Sequence, residues 1–122
     1  MKNEEQINTN DHSVEIVRIG ERVQVTMEGE MIADTTSAIK VLETGYEPII
    51  YIPKNDLKEI DLIKCGEYHC PFKGHAELYT IKHGAHEIKN GAWSYFEPVN
   101  SLPELQGRVA FYPSKVQEIR VI

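Results

Sequence analysis

The sequence predicts an all-β fold: one small domain of about eight to ten short antiparallel strands, sandwich-like or barrel-like, with at most one short helical turn. Three observations carry this. Apolar and polar residues alternate with period two over short runs rich in Val, Ile, Thr and Tyr, glycine or proline punctuates nearly every gap between those runs, and the helical spacing of three and four residues is missing.

Taken in order, residues 1–13 carry Asn, Glu, Asp and Thr around an isolated Ile7, too little apolar surface to offset the cost of ordering them, and a loose tail is expected ahead of a domain over 14–122. Val14 to Ile19 and Arg22 to Met27 alternate cleanly about the pair Gly20-Glu21, which suits a tight hairpin. Glu28-Gly29-Glu30 gives a second turn, and Met31 to Thr35 reads as a third strand of the same meander. Ala38 to Glu43 is β-branched enough to favour a strand. Ile49 to Ile52, bracketed by Pro48 and Pro53, is a strand that starts and stops abruptly, either buried on both faces or near an edge. Asn55 or Asp56 can cap one helical turn, and Leu57 to Ile63 returns to alternation.

Ala76 to His83 places Ala76, Leu78 and Thr80 on one face and Glu77, Tyr79 and Ile81 on the other. His86 to Phe96 forms a further strand interrupted by Asn90-Gly91, either a turn or a bulge. Leu102 to Gly107, with proline early and glycine last, is the one segment that reads as helical. Arg108 to Tyr112 and Val116 to Ile122 close the chain as strands.

A chain of 122 residues, 41% hydrophobic and 26% charged, has room for one core and little more. A net charge of −6 without a basic cluster argues against nucleic acid as a partner, and no apolar run approaches the length of a membrane span. The polar first residues hold no signal-like apolar core, so a cytoplasmic setting is expected, with Cys65 and Cys70 reduced.

Chemically capable side chains crowd together only in the stretch from Tyr68 to Tyr79. Pro71 fixes its own φ and holds Cys70 extended, and Gly74 permits positive φ, so Cys70 to Lys73 reads as a tight turn that makes a thiol and an ammonium neighbours. Three readings follow. A zinc site would draw on Cys65, His69, Cys70 and His75, but a knuckle wants a second cysteine where Lys73 stands, and the adjacent His69 and Cys70 point opposite ways on extended backbone. A reactive cysteine would have Cys70 favoured as thiolate by turn N–H groups and Lys73, with His69 and His75 as proton carriers and Tyr79 on the ligand. A binding wall would set Lys73, with Arg108 or Lys82, against a carboxylate or phosphate, while Tyr51, Trp93 and Tyr95 take a ring. The plain counterpart is a small buried cysteine beside a solvated lysine.

Arg22-Val23-Gln24-Val25, Ala33-Asp34, Leu42-Glu43, Tyr51-Ile52-Pro53 with Asp56, His69 to Gly74 with Ala76 and Tyr79, Ala92-Trp93-Ser94-Tyr95 with Glu97-Pro98, and Val109 to Tyr112 together resemble the bacterial domain-of-unknown-function family four-two-seven. The resemblance runs from about Arg22 to Tyr112 and is carried most specifically by Cys-Pro-x-Lys-Gly followed by Ala-Trp-x-Tyr. It implies a β-tent-like fold, in which the turn is a zinc knuckle whose second cysteine has become lysine. Glu43, Tyr51, Asp56, Cys70, Lys73 and Tyr79 match the family pattern, whereas Cys65 and His75 lie outside it. A nucleotidyltransferase-like label is sometimes attached to the family, but the spaced carboxylates and Gly-Ser loop that such chemistry needs are not in this chain.

The reading expected is a pocket beside the turn for a small polar metabolite, with Cys70 and Lys73 as catalytic candidates. Glu43, Tyr51, His69, Tyr79 and Trp93 are the ligand-binding candidates, and no metal or cofactor is expected. The competing reading is a non-catalytic protein-interaction module with a structural turn.

Overall fold

A computed structural model describes residues 12–122, so the expected tail falls outside the described residues except for His12 and Ser13. These two are held by the domain, His12 by Glu43 and Ser13 by Thr44. Among the described residues, ten strands form two antiparallel sheets: β1 (Val14–Arg18), β2 (Val23–Met27), β3 (Glu30–Thr35), β4 (Ile39–Glu43), β5 (Ile49–Pro53), β6 (Asp61–Cys70), β7 (Gly74–His83), β8 (His86–Pro98), β9 (Arg108–Phe111) and β10 (Glu118–Val121). The larger sheet runs β1-β4-β5-β9-β8-β7-β6, and the smaller runs β10-β2-β3. Helical backbone among the described residues is confined to two 3₁₀ turns, Lys54–Asp56 and Pro103–Leu105.

Strand parity creates two apolar layers on the larger sheet. Ile52, Tyr79, Ile81, Val109 and Phe111 face the smaller sheet, where Val23, Val25, Met27, Ile32 and Ala33 meet them. Their sequence neighbours Tyr51 and Ala110 point the other way and join Ile39, Val41, Cys70, Ala76 and Tyr95, with Leu102 and Leu105 packed over one end. The central strands are therefore buried on both faces, which accounts for the unbroken apolar run in β5. Each fully buried Ile or Val contributes about 1.5–3 kcal/mol by leaving water.

The hairpin expected about Gly20-Glu21 does not form. β1 pairs with β4, Val14 opposite Glu43 through Arg18 opposite Ile39, while β2 pairs with β3 and β10 in the other sheet. Gly20-Glu21 is a corner between sheets. Two alternating runs with a two-residue gap fit a corner as well as a hairpin, and the choice falls to tertiary burial. Every inward side chain of β2 is buried against the core, whereas β1 is a largely exposed edge. The next turn is a true hairpin, with Glu28 and Gly29 at φ 53° and 78° between the paired Met27 and Glu30, the signature of a type I′ turn. Leu57 reaches Ala33 only through an isolated bridge, and the strand expected from there begins at Asp61, after Glu59 at φ 52° breaks the extended run. Asn90-Gly91 is a bulge within one long strand, since Tyr79 pairs with Ala92 but Ile81 pairs with Ile88.

Candidate functional site

The stretch singled out in the sequence is the tip of a hairpin made by two ten-residue strands. Lys73 N–H donates to the Cys70 carbonyl at 3.3 Å, closing the expected turn over Pro71 and Phe72. Gly74 follows at φ 120°, and a Cβ there would overlap the Glu97 carbonyl oxygen and lie 2.8 Å from Pro98 Cα, so only glycine lets the hairpin lie against the end of β8. Val99 N–H donates to the Lys73 carbonyl at 3.0 Å from the same side. The tip is thereby fixed.

From that tip Lys73 extends over the concave face and pairs with Glu43 at the end of β4, across the three intervening strands β5, β9 and β8. Both side chains are largely buried, at 14% and 8% exposure. The second carboxylate oxygen of Glu43 lies 3.0 Å from Nε2 of His12, whose ring stacks on Phe72 at 3.7 Å. His12, Glu43, Lys73 and Phe72 thus tie the two ends of the curled sheet together.

Beneath this strap lies a cavity of about 630 Å³. Val41, Ile49, Tyr51, Ala76, Leu78, Trp93 and Tyr95 line its walls, and Tyr46, Tyr68, Phe72 and Tyr112 surround them. Trp93 donates its indole N–H to the Tyr51 hydroxyl at 3.0 Å, edge to face, and Tyr112 lies against the same indole at 4.4 Å. Burial pushes the Tyr51 and Tyr95 phenols up, Tyr51 despite the opposing hydrogen bond from Trp93, so both present neutral hydroxyls. The Lys73 ammonium is 5.8 Å from the Tyr46 ring and 6.0 Å from the Tyr95 ring. The chemistry on offer is one charge pair inside an aromatic, mostly apolar hollow.

Five of the seven candidate residues, Glu43, Tyr51, Cys70, Lys73 and Trp93, line this cavity, and His69 and Tyr79 do not. Parity decides both. His69 is next to Cys70 on extended backbone, so it faces the opposite side, exposed and stacked on His75 at 4.4 Å. Tyr79 belongs to the layer between the sheets. Its hydroxyl donates to Glu77 at 2.8 Å, Lys54 lies 5.6 Å above its ring, and burial with the Glu77 contact pushes its phenol up to about 12. The charge of Lys73 is directed at Glu43, and Cys70 is a buried wall residue. Arg108 instead donates to the Glu104 and Ser37 carbonyls, and Lys82 lies outside the cavity. Cys65 is exposed beside Asn90, and among the described residues no group of three or more His, Cys, Asp or Glu is arranged to hold a metal.

Sequence reasoning missed His12, Tyr46, Tyr68 and Tyr112. Period-two counting finds two of them, Tyr68 from Cys70 and Tyr112 from Ala110. His12 carries no local signal.

The fold and cavity define a class: an all-β domain whose larger sheet curls around an aromatic hollow crossed by an ion pair. The family model described as Domain of unknown function (DUF427) matches residues 15–122, and the chain belongs to that family. No curated protein matches it.

Proposed function

We propose that this chain is a small-molecule-binding domain whose ligand occupies the concave-face cavity. An apolar or ring-bearing body would rest against Tyr51, Trp93 and Tyr95, and a polar group would meet Lys73, Glu43 and His12. One observation carries this reading: a largely buried ion pair inside an aromatic hollow. Such a pair contributes little to stability compared with apolar side chains of equal size, so binding is the better account of its presence in a cavity than folding alone. Cys70 on the same wall would place a thiol beside the bound molecule, which is how the reading extends to thiolate chemistry. We take the setting to be the cytoplasm, a compartment suited to two free thiols; no helix among the described residues is long and apolar enough to cross a membrane.

Trp93, the single tryptophan, lines the cavity and reports on its occupancy. Native mass spectrometry of gently purified protein, followed by Trp93 fluorescence titration with a metabolite panel, tests the reading. Fluorescence-detected binding that is lost in Glu43→Gln, or a ligand seen by native mass spectrometry that no longer accompanies Trp93→Ala, supports it, and a panel without a single binder counts against it. Alkylation against pH tests the thiol separately: labelling of Cys70 well below pH 8 that is lost in Lys73→Ala supports a reactive cysteine, and inertness removes it.

A second reading, a protein-interaction module, is favoured by the rim. Tyr46, Tyr68 and Phe72 are 69%, 54% and 49% exposed around the opening, and aromatic residues of this kind anchor interfaces. A partner whose binding is lost in Tyr68→Ser and Phe72→Ser, with no small molecule found, would favour it.

A further inference from the structure

Resting on the pocket reading, we infer that the ligand is an organic ammonium ion with an apolar or aromatic body, and that Lys73 is the tethered stand-in for it. The cavity already holds one ammonium. Lys73 Nζ pairs with Glu43 and lies within about 6 Å of the Tyr46 and Tyr95 ring centroids, the range in which a cation is drawn to the negative face of an aromatic ring. Glu43 is the only carboxylate among the described residues that both lines the cavity and is largely buried, since Glu47 on the same wall is exposed. A carboxylate surrounded by ring faces is a receptor for a positive group. Those same faces, together with Glu43, repel an anion.

A neutral ligand would leave the Lys73–Glu43 pair intact and use only the apolar walls. An ammonium ligand gains more, because it takes the Glu43 oxygen that Lys73 holds and lays its body against Trp93 and Tyr51. Lys73 can give way: its stem is long and flexible, its root is at the hairpin tip beside the half-exposed Phe72, and its charge is strongly hydrated once released. The net charge of −6 favours the approach of a cation over long range. Lys73 then acts as a competitor, which sets the occupancy threshold and keeps Glu43 paired while the cavity is free of ligand.

The test is Trp93 fluorescence titration with four probes sharing one body: phenethylamine, phenethyltrimethylammonium, 3-phenylpropionate and 2-phenylethanol. Expected on the unaltered protein is binding of at least one ammonium probe about tenfold or more tighter than the carboxylate and the alcohol. Lys73→Met, which removes the competitor and keeps the apolar stem, is expected to tighten the ammonium probes several-fold, and Glu43→Gln to abolish the charge preference. Preference for the carboxylate or the alcohol, or weaker ammonium binding in Lys73→Met, overturns the inference and leaves the pocket reading standing. No response to any probe also overturns it, and the pocket reading falls with it only if native mass spectrometry and the metabolite panel are blank as well. The charge preference is read on the unaltered chain, so the result stands even if a variant fails to fold.

Discussion

Lys73 and Glu43 are joined across the open side of a sheet in which three strands separate β4 from β7. The pair makes a strap between the hairpin tip and the end of β4, and its two halves are not equivalent. Glu43 has a second partner in His12, whereas Lys73 has no other carboxylate among the described ion pairs. Glu43→Gln is therefore expected to lower the unfolding free energy by about 2 kcal/mol, below the full cost of orphaning a buried charge because the lysine stem can swing into water. Lys73→Met, which leaves Glu43 with His12, is expected to cost less than about 1 kcal/mol. Urea denaturation of the two variants decides it, and equal losses would show that the strap is not organised about Glu43.

Gly74 gives a sharper test of the hairpin tip. Gly74→Ala must hold an alanine at φ 120° and press its Cβ onto the Glu97 carbonyl and Pro98, both backbone, which cannot turn aside. A loss of about 3 kcal/mol or more is expected, with the cavity disordered. Gly84, in the turn at the far end of β7, is the control: its φ is 60° and nothing lies within 4 Å of an added Cβ, so Gly84→Ala should cost only about 1 kcal/mol. Comparable losses in the two would mean that φ alone, and not the approach of β8, makes Gly74 necessary.

How much of this was legible in the sequence follows from the distance over which each feature is decided. The Cys70–Lys73 turn and the Glu28-Gly29 hairpin are specified by residues within four positions, and both form as read. Pairing is decided elsewhere. Gly20-Glu21 looked like a hairpin because the local pattern was right, yet β1 found its partner in β4 and β2 in β3 and β10. The site divides in the same way. Glu43, Tyr51, Cys70, Lys73 and Trp93 lie on one face; the family pattern contains them, but it contains His69 and Tyr79 as well, and a pattern of matched positions does not record that neighbouring strand residues face opposite ways. His12 belonged to a segment too polar to suggest order, and it is held by Glu43 and Phe72, distant residues that no window around it contains.

Tyr51 accepts the indole hydrogen of Trp93 at the base of the cavity. Tyr51→Phe removes the acceptor and leaves a partly buried N–H without a partner, which is expected to cost about 1 kcal/mol and to shift Trp93 emission as its polar contact is lost. Thermal or urea unfolding and the emission spectrum report the two effects together. An unchanged spectrum would show that the hydrogen bond is not formed in solution.

Alkaline pH reads the buried phenols directly. Tyr51, Tyr79 and Tyr95 are all pushed up, first by burial, and Tyr79 reaches about 12 with Glu77 adding to the shift. Unfolded tyrosine loses its proton near pH 10, so in the interval above that value the unfolded chain binds fewer protons than the folded one, and stability falls as pH rises. The contribution of Tyr79 is fully present below about pH 10 and is lost as pH climbs through about 12. Tyrosinate absorbance should accordingly stop short of the full six-residue change while the fold persists, then complete in step with the loss of β-sheet circular dichroism. Tyr79→Phe should lessen the fall in urea midpoint between about pH 10 and pH 12, because its ionisation no longer draws the chain toward the unfolded state. All six tyrosines titrating together near pH 10 with the sheet intact would show that the cavity wall and the layer between the sheets are open to water, and the aromatic hollow described above would not exist in solution.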